Sequence, residues 1–268
     1  MSMLLAATQA SSTMSDARVG FATEGGGQWA VWDRFITLDG KKAFHIGNIC
    51  GTCPVVFERL QGANDKVSPR ELSDRFRCGL QHIEDDVVQT ATSVLPAGKY
   101  DALLLKCVPR LVLPSKPGDY FFDEQIALWG LDGFWGMPHY AKAEYYRTGT
   151  SRMSNHRGFF EFVVPMFPRN YLRAETVSSY KEELSRGALP TALAVSILDV
   201  KQPADWSGSP EITEHWCLSH YLLDGHHKVF AASELNAPIS ILSFLAPEKG
   251  VCSAEQVSEA IETLRDGC

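Results

Sequence analysis

The stretch from Tyr221 to Ala232 constrains the fold of this chain more than any other part of the sequence. It reads Tyr-Leu-Leu-Asp-Gly-His-His-Lys-Val-Phe-Ala-Ala. The apolar start predicts a buried strand, Asp224-Gly225 predicts a tight turn, and the residues after the turn favour a short helix. Backbone N–H groups at the start of a helix have no partner within that helix and attract anions. The pattern therefore indicates a phosphate-binding turn, although the same arrangement also occurs in folds that bind no ligand there.

The residues that follow Asp224 have the chemistry of a phosphate site. Gly225 allows the backbone to approach a phosphate closely, because glycine has no side chain. His226 and His227 supply N–H donors, and Lys228 supplies a positive charge. We therefore expect Gly225, His226, His227 and Lys228 to bind the phosphates.

The composition limits the class of protein. A chain of 268 residues with 45% hydrophobic content is long enough to bury a sizeable core. A net charge of −7 and a pI near 5.6 argue against a nucleic-acid partner. Apolar runs are too short for a membrane span, and residues 1–7 lack the charge and the length of a secretory signal. We expect a cytoplasmic protein that acts on a small molecule, with no nucleic-acid or membrane partner.

Changes in composition divide the sequence into three parts. Residues 1–27 are polar and rich in small residues, which predicts a flexible lead-in. Residues 28–150 predict an α+β portion, with a hairpin at Asp39-Gly40 and one amphipathic helix from Ser68, its N-cap, to Ala91. Residues 151–268 alternate regularly between strand and helix patterns.

Cys50-Gly51-Thr52-Cys53 is the most conspicuous motif of the N-terminal portion. A Cys-x-x-Cys turn brings two sulfurs to the spacing of two zinc ligands. The same turn can form a redox disulfide. Because no second Cys-x-x-Cys completes a set of four ligands, a pair of buried structural thiols is a third interpretation. Zinc at Cys50 and Cys53 therefore stands beside two alternatives.

An aromatic-rich run lies between Gly118 and Arg147. Its Tyr, Phe and Trp residues alternate with Asp, Glu and His residues. An aromatic wall with convergent polar groups is typical of a small-molecule pocket. The same composition also suits a core with amphipathic aromatic residues at its rim, so both interpretations stay open.

The C-terminal part resembles a known superfamily. Its pattern predicts strands at 160–164, 193–198, 215–223 and 239–245, and helices at 171–186, 230–235 and after Ser253. This order, together with the segment Asp224 to Ala232 and with Pro238 before the last strand, resembles the ParB/sulfiredoxin-like superfamily over about residues 159–247. The Asp-Gly-His-His turn is most similar to that of the free serine kinases.

The resemblance implies an α+β fold with a small mixed-sheet domain in the C-terminal part and the N-terminal α+β portion packed on it. It also implies that the turn binds nucleotide phosphates, with ATP or ADP and Mg as cofactors. In the free serine kinases a glutamate after the first strand deprotonates the substrate hydroxyl, but Pro168-Arg169-Asn170 occupies that position here. Glu175 and Glu161 are the nearest candidates for the base, and Asp224 would hold the metal or act on the hydroxyl.

The leading hypothesis is a nucleotide-dependent phosphotransferase, a kinase for a small hydroxylated or amino-acid-like substrate. Lys228 stands where the family usually has arginine, which keeps the charge but loses the bidentate geometry. One alternative is a non-catalytic nucleotide- or effector-binding regulatory protein. Another is a zinc-supported interaction module at Cys50 and Cys53.

Overall fold

The computed structural model describes residues 1–130, 141–204 and 210–267. The strands, in chain order, are β1 Met3–Ser12, β2 Val19–Gly26, β3 Trp29–Leu38, β4 Lys41–Asn48, β5 Glu58–Arg59, β6 Gly98–Cys107, β7 Arg110–Val112, β8 Tyr145–Arg152, β9 Arg157–Val164, β10 Thr191–Lys201, β11 Glu214–Asp224 and β12 Ile239–Leu245. The helices are α1 Ser73–Cys78, α2 Asp85–Thr92, α3 Glu124–Trp129, α4 Ala174–Ser185, α5 His226–Leu235 and α6 Ala254–Asp266, with short 3-10 turns at Arg70–Leu72, Arg169–Tyr171 and Pro247–Lys249. The predicted α+β fold class is confirmed.

One mixed sheet of eight strands organises the molecule, in the order β1-β6-β12-β10-β11-β9-β8-β7. Within it β9 runs parallel to β11 and β10 runs parallel to β12, while the other neighbouring pairs are antiparallel. Protein covers both faces of the central strands, so β10, β11 and β12 are buried along almost their whole length. The strands β2, β3, β4 and β5 form a second, antiparallel sheet.

The main sheet has a separate hydrophobic core on each face. Successive side chains of a strand point to opposite faces, so β10 contributes to both cores. Leu193, Val195 and Ile197 pack with residues of the four-stranded sheet, of α1 and of α2. Ala194 and Leu198 pack with residues of α4, α5 and α6 on the other face. The three longest helices therefore cover one face of the main sheet, and the small sheet covers the other.

A buried ion pair joins the two sheets. The guanidinium of Arg34 on β3 donates to the carboxylate of Asp199 on β10, at 3.0 and 2.6 Å. The same guanidinium donates to the carbonyl oxygens of Ile46, Asn48 and Lys249. Both charged side chains are almost fully buried. Because every group finds a partner, the desolvation cost of the pair is largely offset.

Residues 1–27 differ from the flexible lead-in that their composition suggested. They contain β1 and β2, and β1 pairs with β6 from Met3 opposite Lys106 to Ser12 opposite Gly98. Backbone hydrogen bonds to an existing sheet edge hold β1, and such pairing leaves little signal in the composition of an edge strand. Strands from all three predicted parts of the chain share the main sheet or the sheet packed on it.

The single helix predicted from Ser68 to Ala91 is wrong, because the chain forms α1 and α2 with a break between them. Gly79 ends α1 with a positive φ of 88°, and a Cβ at this position would lie 2.0 Å from the carbonyl oxygen of Leu189. The hydroxyl of Thr191 then accepts the next backbone N–H, that of Leu80. Ser68 makes no capping bond to a helix. Packing against residues 189–191 thus overrides the helical periodicity.

Two local predictions are confirmed. Asp39 and Gly40 both have positive φ and connect β3 to β4 as a tight hairpin. Ser253 and Gln256 form a reciprocal capping box at the start of α6. Among the described residues, no helix combines the length and the apolar character needed to cross a membrane.

Candidate functional site

Two helices begin side by side at one end of the main sheet. The adjacent parallel strands β9 and β11 end near each other, since β9 ends at Val164, opposite Tyr221, and β11 ends three residues later at Asp224. α4 follows β9 and α5 follows β11, and Lys181 of α4 pairs with Glu234 of α5 at 2.5 Å farther along. The two helices therefore run in the same direction, and their N-termini meet where the strands end. In α/β sheets this end of parallel strands is where ligands bind.

Gly225 forms the turn between β11 and α5. Its φ of 95° is in the left-handed region, and a Cβ there would lie 2.6 Å from the Cβ of Ala192. Both facts require glycine at this position. The close approach of the two backbones sets the position at which α5 begins.

His226 connects the turn to the segment that follows β9. Its Nε2 accepts a hydrogen bond from the backbone N–H of Met166 at 2.9 Å, and its ring stacks on Phe167 with centroids 4.0 Å apart. Burial lowers the pKa of His226 to about 3, so the ring is neutral at neutral pH. His226 was predicted to donate to a phosphate, but its Nε2 atom is an acceptor and binds the backbone N–H of Met166 instead.

His227 connects α5 to the start of α4. Its Nε2 accepts a hydrogen bond from the backbone N–H of Arg173 at 3.0 Å, and Arg173 is the N-cap residue of α4. Burial, followed by the positive charges of Arg173 and Lys66, lowers the pKa of His227. The imidazole thus satisfies a donor at the N-terminus of the neighbouring helix.

Lys228 points into the protein. Its ammonium donates to the carbonyl oxygen of Thr191 at 2.7 Å and lies 5.6 and 5.8 Å from the ring centroids of Phe76 and Tyr180. Burial lowers the pKa of Lys228 to about 8, against the opposing effect of the negative charge of Asp224. A buried cation therefore lies beneath the first turn of α5.

The backbone N–H groups at the two helix starts have no acceptor within the part of the chain that the structure describes. Neither helix has a side-chain cap, and no described residue accepts from the N–H groups of residues 174–176 or 226–228. Lys66 is exposed beside the turn, where a hydrogen bond from Val67 N–H to the carbonyl oxygen of Leu223 holds its segment. Arg173 is also exposed. Helix dipoles and two exposed cations therefore favour an anion at this position.

Two of the predicted acidic residues lie at this end of the sheet. Asp224 is the last residue of β11 and is half-buried. Glu175 is exposed in the first turn of α4, two residues after the Arg173 N–H that binds His227. The structure thus brings Asp224, Glu175 and residues 225–228 to one region.

Glu161 lies elsewhere, in a fully buried polar network. Its carboxylate contacts Nε2 of His220 at 3.1 Å and accepts hydrogen bonds from the hydroxyl of Thr148 and the backbone N–H of Ser2. Burial acts to raise the pKa of Glu161, but the hydrogen bonds and the charge of His220 outweigh it, so the pKa is lowered. An ionised carboxylate held in this way has no free oxygen for a substrate proton.

The network continues across neighbouring strands to two hydroxyl groups. Nδ1 of His220 lies 2.6 Å from the hydroxyl of Ser196 and 3.0 Å from that of Ser243. The order of carboxylate, imidazole and hydroxyl is that of a hydrolase triad, but all of these side chains have zero exposure. We assign the network to the core, where it satisfies buried polar groups. No local pattern signals this network, because apart from Ser2 its members are single polar residues in five different strands, β8 to β12.

Cys50 and Cys53, the predicted zinc ligands, lie in the turn that follows β4. Both are half-buried free thiols. Burial acts to raise the pKa of Cys50, but hydrogen bonds from Cys53 and Thr52 and the charge of Lys201 outweigh it and lower the pKa. Burial and the bond to Cys50 raise the pKa of Cys53 to about 11. Among the described residues, no group of three or more His, Cys, Asp and Glu side chains is arranged to hold a metal.

The predicted aromatic wall is only partly described. Residues 131–140, including Phe134, Trp135 and Tyr140, lie outside the described residues. Tyr120, Phe121 and Tyr145 belong to the core between the two sheets, and the hydroxyl of Tyr120 contacts Nδ1 of His215 at 2.8 Å. These side chains pack within the protein.

Comparisons with known proteins leave the site to be interpreted from its own geometry. No protein-family model, no curated protein and no solved structure matches the chain.

Proposed function

We propose that the chain binds the phosphates of ATP or ADP where α4 and α5 begin, and that it transfers a phosphoryl group to a small hydroxylated or amino-acid-like substrate. The observation that supports this proposal is the meeting of two uncapped helix N-termini at the ends of two parallel strands, beside the exposed cations Lys66 and Arg173. The resemblance of the C-terminal part to the ParB/sulfiredoxin-like superfamily supports the same proposal.

The residues present suit a phosphate group. The N–H groups of residues 226–228 have no acceptor among the described residues and can donate to phosphate oxygens. The buried ammonium of Lys228 adds positive charge below them. Asp224 is the acidic side chain at this turn that would hold Mg with the phosphates. A bound ATP would supply the transferable phosphoryl group.

Glu175 is the better of the two candidate bases. It is exposed at the first turn of α4, whereas Glu161 is fully buried and already accepts hydrogen bonds from Thr148 and Ser2. A general base must be able to reach the proton that it removes. We therefore propose that Glu175 accepts the proton of the substrate hydroxyl, and that Glu161 has a structural role.

Binding is tested by calorimetric titration with ADP, ATP and Mg, and with inorganic phosphate. We expect Lys66→Glu and Arg173→Glu each to weaken nucleotide binding by about tenfold, because an exposed attraction becomes a repulsion. Lys99→Glu is the matched control. Lys99 is exposed at the amino end of β6, which runs in the same direction as β11, so it lies at the opposite end of the sheet. Equal losses in all three variants, or no binding to the unmodified protein, would contradict the proposal.

A regulatory protein that binds nucleotide without turnover is the second candidate. The observation that favours it is that the imidazoles of His226 and His227 already accept backbone hydrogen bonds. Neither histidine can then act as a general base through Nε2, which leaves Glu175 as the exposed candidate base. Incubation with labelled ATP and a panel of small alcohols and hydroxylated amino acids separates the two. Nucleotide binding with no transfer to any acceptor and no hydrolysis would favour the regulatory protein. In either case we propose a cytoplasmic location, to which the free thiols of the described residues are suited.

A further inference from the structure

The thiols of Cys50 and Cys53 share one tight turn at the protein surface. The backbone N–H of Cys53 donates to the carbonyl oxygen of Cys50 at 3.4 Å, which closes a turn over four consecutive residues. The first and last Cα atoms of such a turn lie within about 7 Å of each other, and disulfides span Cα distances of about 4.4–6.8 Å. Both side chains are half-buried and Thr52 between them is exposed. The two sulfurs are thus close enough to join and accessible to a small reagent.

The turn is held in place by its surroundings. Asn48 accepts the N–H of Cys50 through its side-chain oxygen at 3.1 Å, and Gly51 accepts the N–H of Gln202, just beyond β10, at 3.1 Å. The indole N–H of Trp129 donates to the carbonyl oxygen of Thr52 at 3.1 Å. These bonds attach the turn to β10 and to α3. A turn that is already ordered needs little rearrangement to form a disulfide.

The two thiols have different environments. The sulfur of Cys50 lies 3.1 Å from the hydroxyl of Thr52, and the ammonium of the buried Lys201 donates to the carbonyl oxygen of Cys50 at 2.6 Å. A nearby hydroxyl and a nearby cation both stabilise a thiolate, which is the nucleophile in disulfide exchange. Cys50 is therefore the sulfur that is better prepared to attack.

A redox pair needs only the two sulfurs, whereas a closed zinc site needs two further ligands. Among the described residues no third His, Cys, Asp or Glu joins Cys50 and Cys53. The exposed Cys78, by contrast, has no second cysteine beside it in the chain. Cys78 therefore serves as a reference for ordinary surface thiol chemistry in the same molecule.

We propose that Cys50 and Cys53 form a reversible intramolecular disulfide by exchange with a low-molecular-weight disulfide of the glutathione class. The Cys50 thiolate attacks one sulfur of the small disulfide, forming a mixed disulfide and releasing one small thiolate. Cys53 then loses its proton and attacks the sulfur of Cys50, which releases the second small thiolate. The two protons lost by the cysteines are taken up by the two released thiolates. The cysteine pair loses two electrons, and the small disulfide gains them. This activity is independent of the proposed nucleotide site.

The test is equilibration of the full chain in glutathione buffers of graded ratio, followed by alkylation and mass spectrometry. We expect Cys50 and Cys53 to become a disulfide without retained glutathione, while Cys78 carries a mixed disulfide. Cys53→Ser should trap glutathione on Cys50, because the second attack is lost. In Cys50→Ser, glutathione should modify Cys53 at least about tenfold more slowly than it modifies Cys50 in Cys53→Ser. The reason is that Cys53 lacks the activating contacts of Cys50.

Two further variants examine the activating contacts. In the Cys53→Ser background, Lys201→Met should slow the trapping of glutathione on Cys50 severalfold. If Lys201→Met impairs folding because Lys201 is buried, Thr52→Val offers the same test at an exposed position. The modification rate of Cys78 is the internal control in each variant. The proposal is overturned if both thiols stay reduced in oxidised glutathione while Cys78 is modified. Purified protein that carries one equivalent of zinc on these two sulfurs would overturn it as well.

Discussion

The Nε2 atom of His227 accepts a hydrogen bond from the backbone N–H of Arg173 at 3.0 Å, so a side chain of α5 holds the residue that precedes the neighbouring helix α4. This bond joins the two helix N-termini that form the proposed phosphate site. It also shows why one histidine of the turn matters for both the fold and the site. The imidazole positions the backbone donors and leaves them free.

His227→Ala should lower the free energy of unfolding by about 1 kcal/mol, the usual net cost of losing one hydrogen bond. It should also weaken nucleotide binding, because the start of α4 loses its fixed position. His227→Gln keeps an acceptor at a similar reach and should retain most of both properties. Urea unfolding and calorimetric titration measure the two effects. A loss of binding in His227→Gln equal to that in His227→Ala would instead favour a direct contact between the imidazole and the ligand.

Stability should fall in acid because of two buried histidines. Burial lowers the pKa of His226 and of His215 to about 3, below the value of 6.5 for an exposed histidine. Between these values the unfolded chain binds protons that the folded protein excludes. The contribution of the two neutral histidines to the free energy of unfolding is fully present above pH 6.5. It is lost as the pH falls towards 3, by up to about 1.4 kcal/mol per pH unit for each histidine.

Urea unfolding across this pH range tests the acid effect, with His226→Gln as the variant. The substitution keeps an acceptor for the Met166 N–H and removes one titrating group, so the slope of stability against pH should decrease. His82→Gln is the control, because the side chain of His82 is largely exposed in the folded protein. An unchanged slope in His226→Gln would show that His226 is not the neutral buried group described above.

Substitution of the two candidate bases should separate catalysis from stability. Glu161→Ala should cost about 3–5 kcal/mol, because it leaves the buried His220 and Thr148 without their partner. Glu175→Gln should leave stability nearly unchanged, because the side chain is exposed, while phosphoryl transfer falls by about 100-fold or more. Unfolding curves and transfer rates per mole of folded protein measure both. Full transfer activity in Glu175→Gln would exclude this residue as the base.

The buried pair Arg34–Asp199 makes the contact between the two sheets sensitive to the loss of one charge. Asp199→Ala should lower the free energy of unfolding by about 3–5 kcal/mol, because the buried guanidinium loses its counter-charge. The double variant Arg34→Met with Asp199→Leu removes both charges and should be more stable than Asp199→Ala alone. Urea unfolding of Arg34→Met alone, Asp199→Leu alone and the double variant completes the cycle. Strictly additive losses would contradict a direct interaction.

Much of the C-terminal fold could be predicted from local sequence. The predicted strand at 239–245 coincides with β12, and the predicted helix at 171–186 overlaps α4. Hydrophobic periodicity and capping residues such as Ser253 act within a few positions of each other, which makes them visible in the sequence. The edge strand β1 was not visible in this way, because its order depends on hydrogen bonds to β6 about 90 residues away.

Local sequence specifies the Asp224-Gly225 turn, the helix that follows it and the type of groups around them. The tertiary structure sets the role of those groups. It directed the acceptor atoms of His226 and His227 to the backbone N–H groups of Met166 and Arg173, and it buried Glu161 away from the turn. A turn follows from the conformational preferences of adjacent residues, whereas a hydrogen-bond partner depends on which distant segment packs beside it. The geometry of the proposed phosphate site therefore comes from the meeting of α4 and α5, which no local pattern encodes.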